Sequence, residues 1–150
     1  MKPYTIHVDI ERPRAEVVRI FADPKKLPLW QKGFQSLEHF AGEPGQTGAI
    51  SRVVFLNGRQ RIEMVERIVI SALPDDLTAH YAWKGGENTL VSRFEELGPN
   101  RTRVTNTCEY TMRSTLLKGM GVVAPGLFKK QNQAFLDALK ELCEGSSGPT

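Results

Sequence analysis

Residues 10–30 read IERPRAEVVRIFADPKKLPLW, and this stretch decides the fold. Its first residue ends a strand, and Pro13 stands where a helix begins, because proline suits the first helical turn. An Asp-Pro pair at residues 23–24 stops that helix. A second short helical piece is predicted over residues 25–32, although Pro28 interrupts it. The apolar positions of the two helices are Val17, Val18, Phe21, Leu27, Leu29 and Trp30.

On either side of this stretch the sequence predicts strands. Apolar and polar residues alternate over residues 4–11, a period of two that is typical of a strand with one buried face. Further strands are predicted from about Leu37 to Met112. Turn-forming residues break them at 43–48, 57–58, 74–76, 85–86 and 98–100. The Asn-Gly pair at 57–58 is the strongest of these hairpin signals.

The end of the chain predicts one long helix. Ser114 or Thr115 can cap its start, and the Pro-Gly pair at 125–126 kinks or restarts it. Between residues 127 and 143 the apolar positions recur at helical spacing, at Phe128, Phe135, Leu139 and Leu142. A glycine ends the helix at position 145. We therefore expect residues 1–145 to form a single domain and residues 146–150 a disordered tail.

Composition and charge exclude several classes of protein. The 150 residues suit one domain, and 20 basic against 17 acidic residues give a net charge of +3, too small to indicate a nucleic-acid-binding protein. No stretch approaches the ~20 apolar residues of a membrane span, and the N-terminus lacks the apolar run of a signal peptide. Neither the two cysteines, Cys108 and Cys143, nor the histidines have metal-ligand spacing. We expect a cytoplasmic protein with no metal, no cofactor, no nucleic-acid partner and no integral membrane association.

The order of elements is a strand, two short helices, a run of strands and a long helix, which predicts an α+β fold. Over residues 4–144 the chain resembles the SRPBCC superfamily, which includes START domains, polyketide cyclase-like proteins and the birch pollen allergen. The whole chain carries the resemblance, and residues 10–30 resemble the start of the superfamily's fold: a strand end, a proline-started helix and then a tryptophan. It implies a helix-grip fold, in which a seven-stranded curved antiparallel sheet surrounds the C-terminal helix and leaves a cavity between them.

Pairing across the predicted hairpins indicates which residues face that cavity. A two-residue turn at 57–58 pairs Leu56 with Arg59, and residues directly opposite each other share a face. The more apolar face should point inward, and the other face, with Arg52 opposite Glu63, should point to solvent. The inward set is Ala49, Ser51, Val53, Phe55, Gln60, Ile62, Met64, Glu66, Ile68 and Ile70.

The remaining hairpins extend this pairing. A two-residue turn at 85–86 pairs Lys84 with Glu87 on the outside, and a three-residue loop at 98–100 pairs Phe94 with Val104. The added inward residues are Leu77, Ala79, Tyr81, Trp83, Asn88, Leu90, Ser92, Phe94, Asn106, Cys108, Tyr110 and Met112. The outward residues include Arg61, His80 and Arg93.

The inward face is not purely apolar, and its polar groups indicate an open space. A buried polar group without a partner costs about 1–3 kcal/mol, so several of them in one place favour a cavity that holds water or ligand. Glu66 is the sharpest candidate, because a cavity carboxylate binds a hydroxyl or an amine, or acts as a general acid or base. The alternative is a position at the rim. If Ile70 lies opposite Leu77, Glu66 faces Tyr81 and the two can share a hydrogen bond.

Other candidates also have two interpretations. Trp30 is a lid of the cavity or part of the core. Asn106 and Tyr110 anchor a ligand, or they satisfy polar neighbours across the strands. We expect the cavity to be lined by Trp30, Phe55, Ile62, Met64, Glu66, Tyr81, Trp83, Leu90, Phe94, Asn106, Cys108, Tyr110, Phe128 and Phe135.

Three functions are compatible with the resemblance. The first is binding or transport of a small hydrophobic molecule, namely a lipid, an isoprenoid, an aromatic or a polyketide-like compound. The second is a polyketide cyclase/dehydratase-like reaction in which Glu66, Tyr81 or Tyr110 moves protons. The third is a co-chaperone-like interaction module. An open cavity around Glu66 favours the first two, and a filled core favours the third. A monomer or a homodimer is expected.

Overall fold

The computed structural model describes residues 2–113 and 124–146 and confirms the predicted helix-grip fold. The strands are β1 (Tyr4–Ile10), β2 (Phe34–Ala41), β3 (Ile50–Asn57), β4 (Gln60–Ala72), β5 (Asp76–Trp83), β6 (Gly86–Gly98) and β7 (Arg101–Met112). The helices are α1 (Arg14–Phe21), α2 (Leu27–Trp30) and α3 (Ala124–Ser146), with a 3₁₀ turn at Pro24–Lys26 before α2. The strands form one antiparallel sheet in the order β1-β7-β6-β5-β4-β3-β2.

The long C-terminal helix α3 ends one residue later than the sequence predicts, at Ser146. It begins at Ala124, one residue before Pro125, which agrees with the preference of proline for the first helical turn. The capping residues predicted at Ser114 or Thr115 lie outside the described residues, as do positions 147–150 of the predicted tail. None of the helices in the described part of the chain is long and apolar enough to cross a membrane.

The main core lies where β1, α1 and the second half of α3 meet. In α3 the core residues are Leu136, Leu139 and Cys143, which are fully buried, recur at +3 and +4, and therefore share one helix face. Of the predicted apolar positions of α3, Leu139 belongs to this set, whereas Phe135 and Leu142 are partly buried at its edge. The other core residues are Ile6, Val8, Ile10, Val17, Ile20, Trp30, Phe94 and Val104.

Both predicted two-residue turns are displaced by one residue, to 58–59 and 84–85. The closing pairs are Asn57–Gln60 and Trp83–Gly86 instead of the predicted Leu56–Arg59 and Lys84–Glu87. Arg52 accordingly lies opposite Val65 rather than Glu63, which it still approaches diagonally at 3.7 Å between Nη1 and Oε1. A displacement by two in pairing leaves every side chain on its predicted face, because side chains alternate with a period of two.

Two irregularities adjust the register further. Strand β4 gains one residue relative to β5 between Ile68 and Ile70, so Ile70 lies opposite Thr78 instead of Leu77. This bulge turns Ile70 to the outer face, where it is 52% exposed, and the prediction that it faces inward is wrong. At the last hairpin a bulge between residues 96 and 98 gives an odd register, and the predicted pairing of Phe94 with Val104 is confirmed.

Gly33 determines how the short helices join the sheet. Its φ is +93°, in the left-handed region that favours glycine, and its carbonyl oxygen accepts a hydrogen bond from the Leu56 backbone nitrogen at 2.8 Å. A Cβ at this position would collide with the carbonyl oxygen of Leu56. The close approach holds the end of α2 and the start of β2 against the end of β3.

We expect the second half of α3 to hold the fold together. Leu139→Ala should lower the free energy of unfolding by about 2–5 kcal/mol, because it removes a fully buried side chain. Leu127→Ala, at a position of the same helix that is 63% exposed, is the matched control and should change it by less than about 0.5 kcal/mol. Denaturant unfolding measures both. Similar small losses for the two variants would show that α3 does not pack as described.

Candidate functional site

A cavity of about 490 Å³ lies between the concave face of the sheet and the helices. Its wall is formed by residues of β2 to β7, α1, α2 and the first half of α3. The volume lies within the range of roughly 300–1,000 Å³ that is typical of sites for small molecules. It is roughly three times the ~150 Å³ of an apolar cavity that holds benzene. The predicted open space between sheet and helix is therefore present in the structure.

The structure brings twelve of the fourteen predicted site residues to this wall. They are Trp30, Phe55, Ile62, Met64, Glu66, Tyr81, Trp83, Leu90, Asn106, Tyr110, Phe128 and Phe135. Trp30 satisfies both of its interpretations, since it borders the cavity and is also a buried member of the main core. That these residues contact a ligand remains a prediction.

Phe94 and Cys108 face the concave side but lie beneath the cavity wall, in contrast to the prediction. Phe94 is 2% exposed, and its ring packs edge-on against Phe21 with 4.9 Å between ring centroids. Cys108 is fully buried opposite Tyr4 of β1, with the Asn132 amide 3.9 Å from its sulfur. Burial raises the pKa of Cys108 to about 11, so the thiol stays protonated. At both positions a neighbouring element closes over the sheet.

One polar residue from each of five neighbouring strands forms a continuous row across the concave face. The members of this polar row are Ser51, Glu66, Tyr81, Asn88 and Tyr110, each directly opposite the next. The adjacent row on one side is apolar and consists of Ile68, Ala79, Leu90 and Cys108. On the other side lie Val53, Met64, Trp83 and Met112. The cavity therefore has apolar walls with a polar line through them.

Glu66 and Tyr81 form the predicted pair at the centre of this row. The Tyr81 hydroxyl donates a hydrogen bond to Glu66 Oε2 at 2.7 Å. Protein atoms enclose Glu66 on most sides, yet part of its surface is open to the cavity. Burial raises the pKa of Glu66, and the hydrogen bond from Tyr81 opposes that shift. Burial and the neighbouring Glu66 charge raise the pKa of Tyr81, which therefore remains a protonated donor.

A second polar cluster lies where α3 crosses β7 and β1. The Asn132 amide donates to the Tyr110 hydroxyl at 2.8 Å and also to the Tyr4 hydroxyl. The Tyr4 hydroxyl donates to Tyr110 at 3.3 Å, and the Tyr110 ring stacks on Phe128 with 4.8 Å between centroids. The sequence analysis missed Asn132. Its spacing from Phe128 by four residues and from Phe135 by three places it on the same helix face, which is the signal that reveals it.

Three buried polar atoms of the cavity wall have no hydrogen-bond partner among the described residues: Trp30 Nε1, Asn88 Oδ1 and Asn106 Oδ1. Each such atom costs about 1–3 kcal/mol if it stays unsatisfied. The described residues contain no group of three or more His, Cys, Asp or Glu side chains placed to hold a metal ion.

The fold and the enclosed cavity define a helix-grip protein of the SRPBCC superfamily. Residues 2–144 match the family model described as polyketide cyclase / dehydrase and lipid transport, and the chain belongs to that family. No curated protein sequence matches the chain.

Solved structures of similar fold come from several sources. A protein of Thermus thermophilus has a TM-score of 0.78 and 20% identity, covering 98% of this chain and 100% of that one. The Zhui aromatase/cyclase from a Streptomyces species has a TM-score of 0.79 and 14% identity, covering 99% of each chain. Truncated norcoclaurine synthase from Thalictrum flavum has a TM-score of 0.73 and 16% identity, covering 99% of this chain and 95% of that one. These likenesses show the shared fold.

The raised pKa of Glu66 predicts a pH-dependent stability. Because the folded protein binds this proton more tightly than the unfolded chain, the free energy of unfolding falls as pH rises from the ordinary glutamate pKa through the raised one. Glu66→Gln removes the titrating group, so the stability of the wild type relative to Glu66→Gln should decline as the pH rises above the ordinary glutamate pKa of 4.5. Glu63→Gln, on the outer face of the same strand, is the control. A difference in the free energy of unfolding between wild type and Glu66→Gln that stays constant with pH would contradict the raised pKa of Glu66.

Proposed function

We propose that the protein binds one small, largely apolar molecule per chain in the cavity. The observation that carries the proposal is a cavity of about 490 Å³ whose largely apolar wall includes the polar side chains of Glu66, Tyr81 and Tyr110. Apolar walls with a few convergent polar groups are typical of small-molecule sites. The open cavity gives no support to the co-chaperone-like module, which the sequence analysis associated with a filled core.

Aromatic side chains favour a ligand with a flat ring system over a flexible acyl chain. Phe128 stacks on Tyr110, and Phe135 stacks on Phe55 with 6.1 Å between centroids. Trp83 meets the Tyr110 ring edge-on. Ring pairs of this kind add about 0.5–1.5 kcal/mol each beyond the area that they bury, and an inserted ring can extend them. The volume is enough for roughly three aromatic rings. The ligand class is therefore an aromatic or polyketide-like compound in preference to a lipid or isoprenoid.

A cyclase-like reaction is the second candidate function, and the hydrogen-bonded pair of Glu66 and Tyr81 favours it. Burial raises the pKa of the Glu66 carboxyl group, which is the direction that a general acid or base requires. The aromatase/cyclase among the structural relatives has the same fold, and the family description includes cyclases and dehydrases. A cytoplasmic location and a monomeric or homodimeric state remain predictions.

Filling the cavity should abolish binding. Wild-type protein is expected to bind one molecule of an environment-sensitive apolar dye per chain, measured by fluorescence titration. Ala79 is 2% exposed and faces the cavity between Ile68 and Leu90, so Ala79→Phe should remove most dye binding. Ala82→Phe, on the outer face of the same strand, should leave it intact. Equal dye binding by the two variants, with both melting cooperatively, would place the dye outside the cavity.

The two candidate functions differ in their response to Glu66→Gln, which keeps the shape of the side chain and removes its acid–base chemistry. For a carrier, the change alters which ligands bind. For an enzyme, it lowers kcat by about 100-fold or more while changing the dissociation constant little. Glu63→Gln is again the control. Turnover of a candidate substrate that is unaffected by Glu66→Gln would remove Glu66 from the proposed reaction.

A further inference from the structure

The cavity wall is unbalanced in charge. Among residues 2–113 and 124–146, Glu66 is the only acidic side chain that lines the cavity, and no lysine or arginine lines it. The arginines next to Glu66 along and across the strands, Arg52 and Arg67, belong to the outer face. A ligand that enters therefore meets one carboxyl group and no fixed cation of the described wall.

One carboxylate oxygen of Glu66, Oε1, remains available to bind a ligand. Tyr81 occupies Oε2, while Oε1 accepts no hydrogen bond from a described residue. Neighbours in the polar row are neutral, with Ser51 opposite Glu66 on β3 and Tyr81 opposite it on β5. A carboxylate that is largely withdrawn from water is costly unless a cation pairs with it. None of the described residues that line the cavity supplies such a cation, so a cationic ligand would stabilise the carboxylate form of Glu66.

Aromatic residues lie near Glu66 in the sheet, with Tyr81 directly opposite it on β5. Tyr81 and Trp83 alternate on the same face of β5, and Trp83 contacts the Tyr110 ring with 6.4 Å between centroids. Tryptophan and tyrosine attract cations to their ring faces, by about 0.5–2 kcal/mol according to how far the cation is desolvated. A carboxylate beside electron-rich rings is a combination that suits an ammonium group.

We infer that the ligand is an apolar amine, whose ammonium group pairs with Glu66 Oε1 while its apolar body fills the cavity. The inference rests on the proposed function and narrows its ligand class. It excludes fatty acids and other apolar carboxylates, since their negative charge would approach Glu66 with no cation of the described wall to balance it. Neutral apolar molecules of the same shape are expected to bind, but less tightly.

Binding of an amine should be coupled to pH through Glu66. The ammonium pairs with the carboxylate form of Glu66. Below the Glu66 pKa, the affinity for the amine should therefore fall by up to tenfold for each unit by which the pH is lowered. The titratable groups facing the cavity with Glu66 are Tyr81, Tyr110 and, at the rim, His39. Burial raises the pKa of both tyrosines, so they stay neutral in this range. The residues contributed by α1, α2, α3 and β3 are neutral.

Three probes with one ring system and different end groups test the inference: naphthylethylamine, naphthylethanol and naphthylacetate. Calorimetric titration of the full chain at neutral pH should show the amine binding about tenfold or more tightly than the alcohol, a difference of about 1.4 kcal/mol. The carboxylate should bind most weakly. Repeating the titrations at successively lower pH should weaken binding of the amine and leave binding of the alcohol little changed. This comparison needs no variant and holds even if a substitution impairs folding.

Variants test whether Glu66, and not another charged residue, selects the amine. Glu66→Gln should remove the preference for the amine and keep the alcohol affinity, whereas Glu63→Gln should behave as wild type. Lys118 lies outside the described residues, and Lys118→Gln should leave the order of the three affinities unchanged.

Each outcome decides between the inference and the proposed function. An amine that binds no better than the alcohol, an amine preference that survives Glu66→Gln, or tightest binding of the carboxylate would overturn the inference. In all three cases, binding of the alcohol at one site per chain would still support the proposed function. If wild-type protein binds none of the probes and also no apolar dye, both the inference and the proposed function are contradicted.

Discussion

The second half of helix α3 is anchored in the main core, and the rest of the cavity depends on this anchor. Leu136, Leu139 and Cys143 are fully buried against β1 and α1, which fixes the direction of the helix. Its first half is then carried across the open part of the sheet. There the large side chains of Phe128 and Phe135 reach the strands through single ring contacts. The same face of α3 therefore packs in the core in its second half and borders the cavity in its first half.

The polar row gives this space its chemical character. A sheet face that packs against a helix is normally apolar, since each unsatisfied polar atom costs about 1–3 kcal/mol. Here five consecutive strands each contribute a polar side chain at the same level, and the rows beside them are apolar. Glu66 lies at the centre, with Tyr81 as its donor. Such an arrangement is stable when water or a ligand occupies the space, which links the composition of the strands to binding.

Much of this could be predicted from the sequence because a strand has a period of two. The turn positions were wrong by one residue, and the predicted partner of Arg52 was wrong by two, yet the side chains of those hairpins kept their faces up to the bulge before Ile70. Only an odd change reverses a face, and the bulge before Ile70 is one. No residue pattern in β4 marks that bulge, because Ile68 and Ile70 are both suitable inward residues.

Depth below the cavity surface and contacts from distant elements could not be predicted in the same way. Phe94 and Cys108 have the correct face, but Phe21 packs on Phe94 and Asn132 of α3 lies next to Cys108, and alternation carries no information on what covers a strand. Asn132 was missed for a related reason. From the sequence alone, an amide on a helix is expected to face solvent. Its burial follows only from its hydrogen bonds to Tyr110 of β7 and Tyr4 of β1, which are distant in sequence.

The most direct test of the central claim, an open cavity that receives a small molecule, is methyl NMR with labelled Ile, Leu, Met and Val during titration with an apolar amine. The account predicts intermolecular nuclear Overhauser effects from the bound molecule to Ile62, Met64 and Leu90, which line the cavity. It predicts none to Val65 and Ile70, which are exposed on the outer face. Contacts confined to the outer methyl groups, or a saturating ligand without contacts to the inner ones, would contradict it.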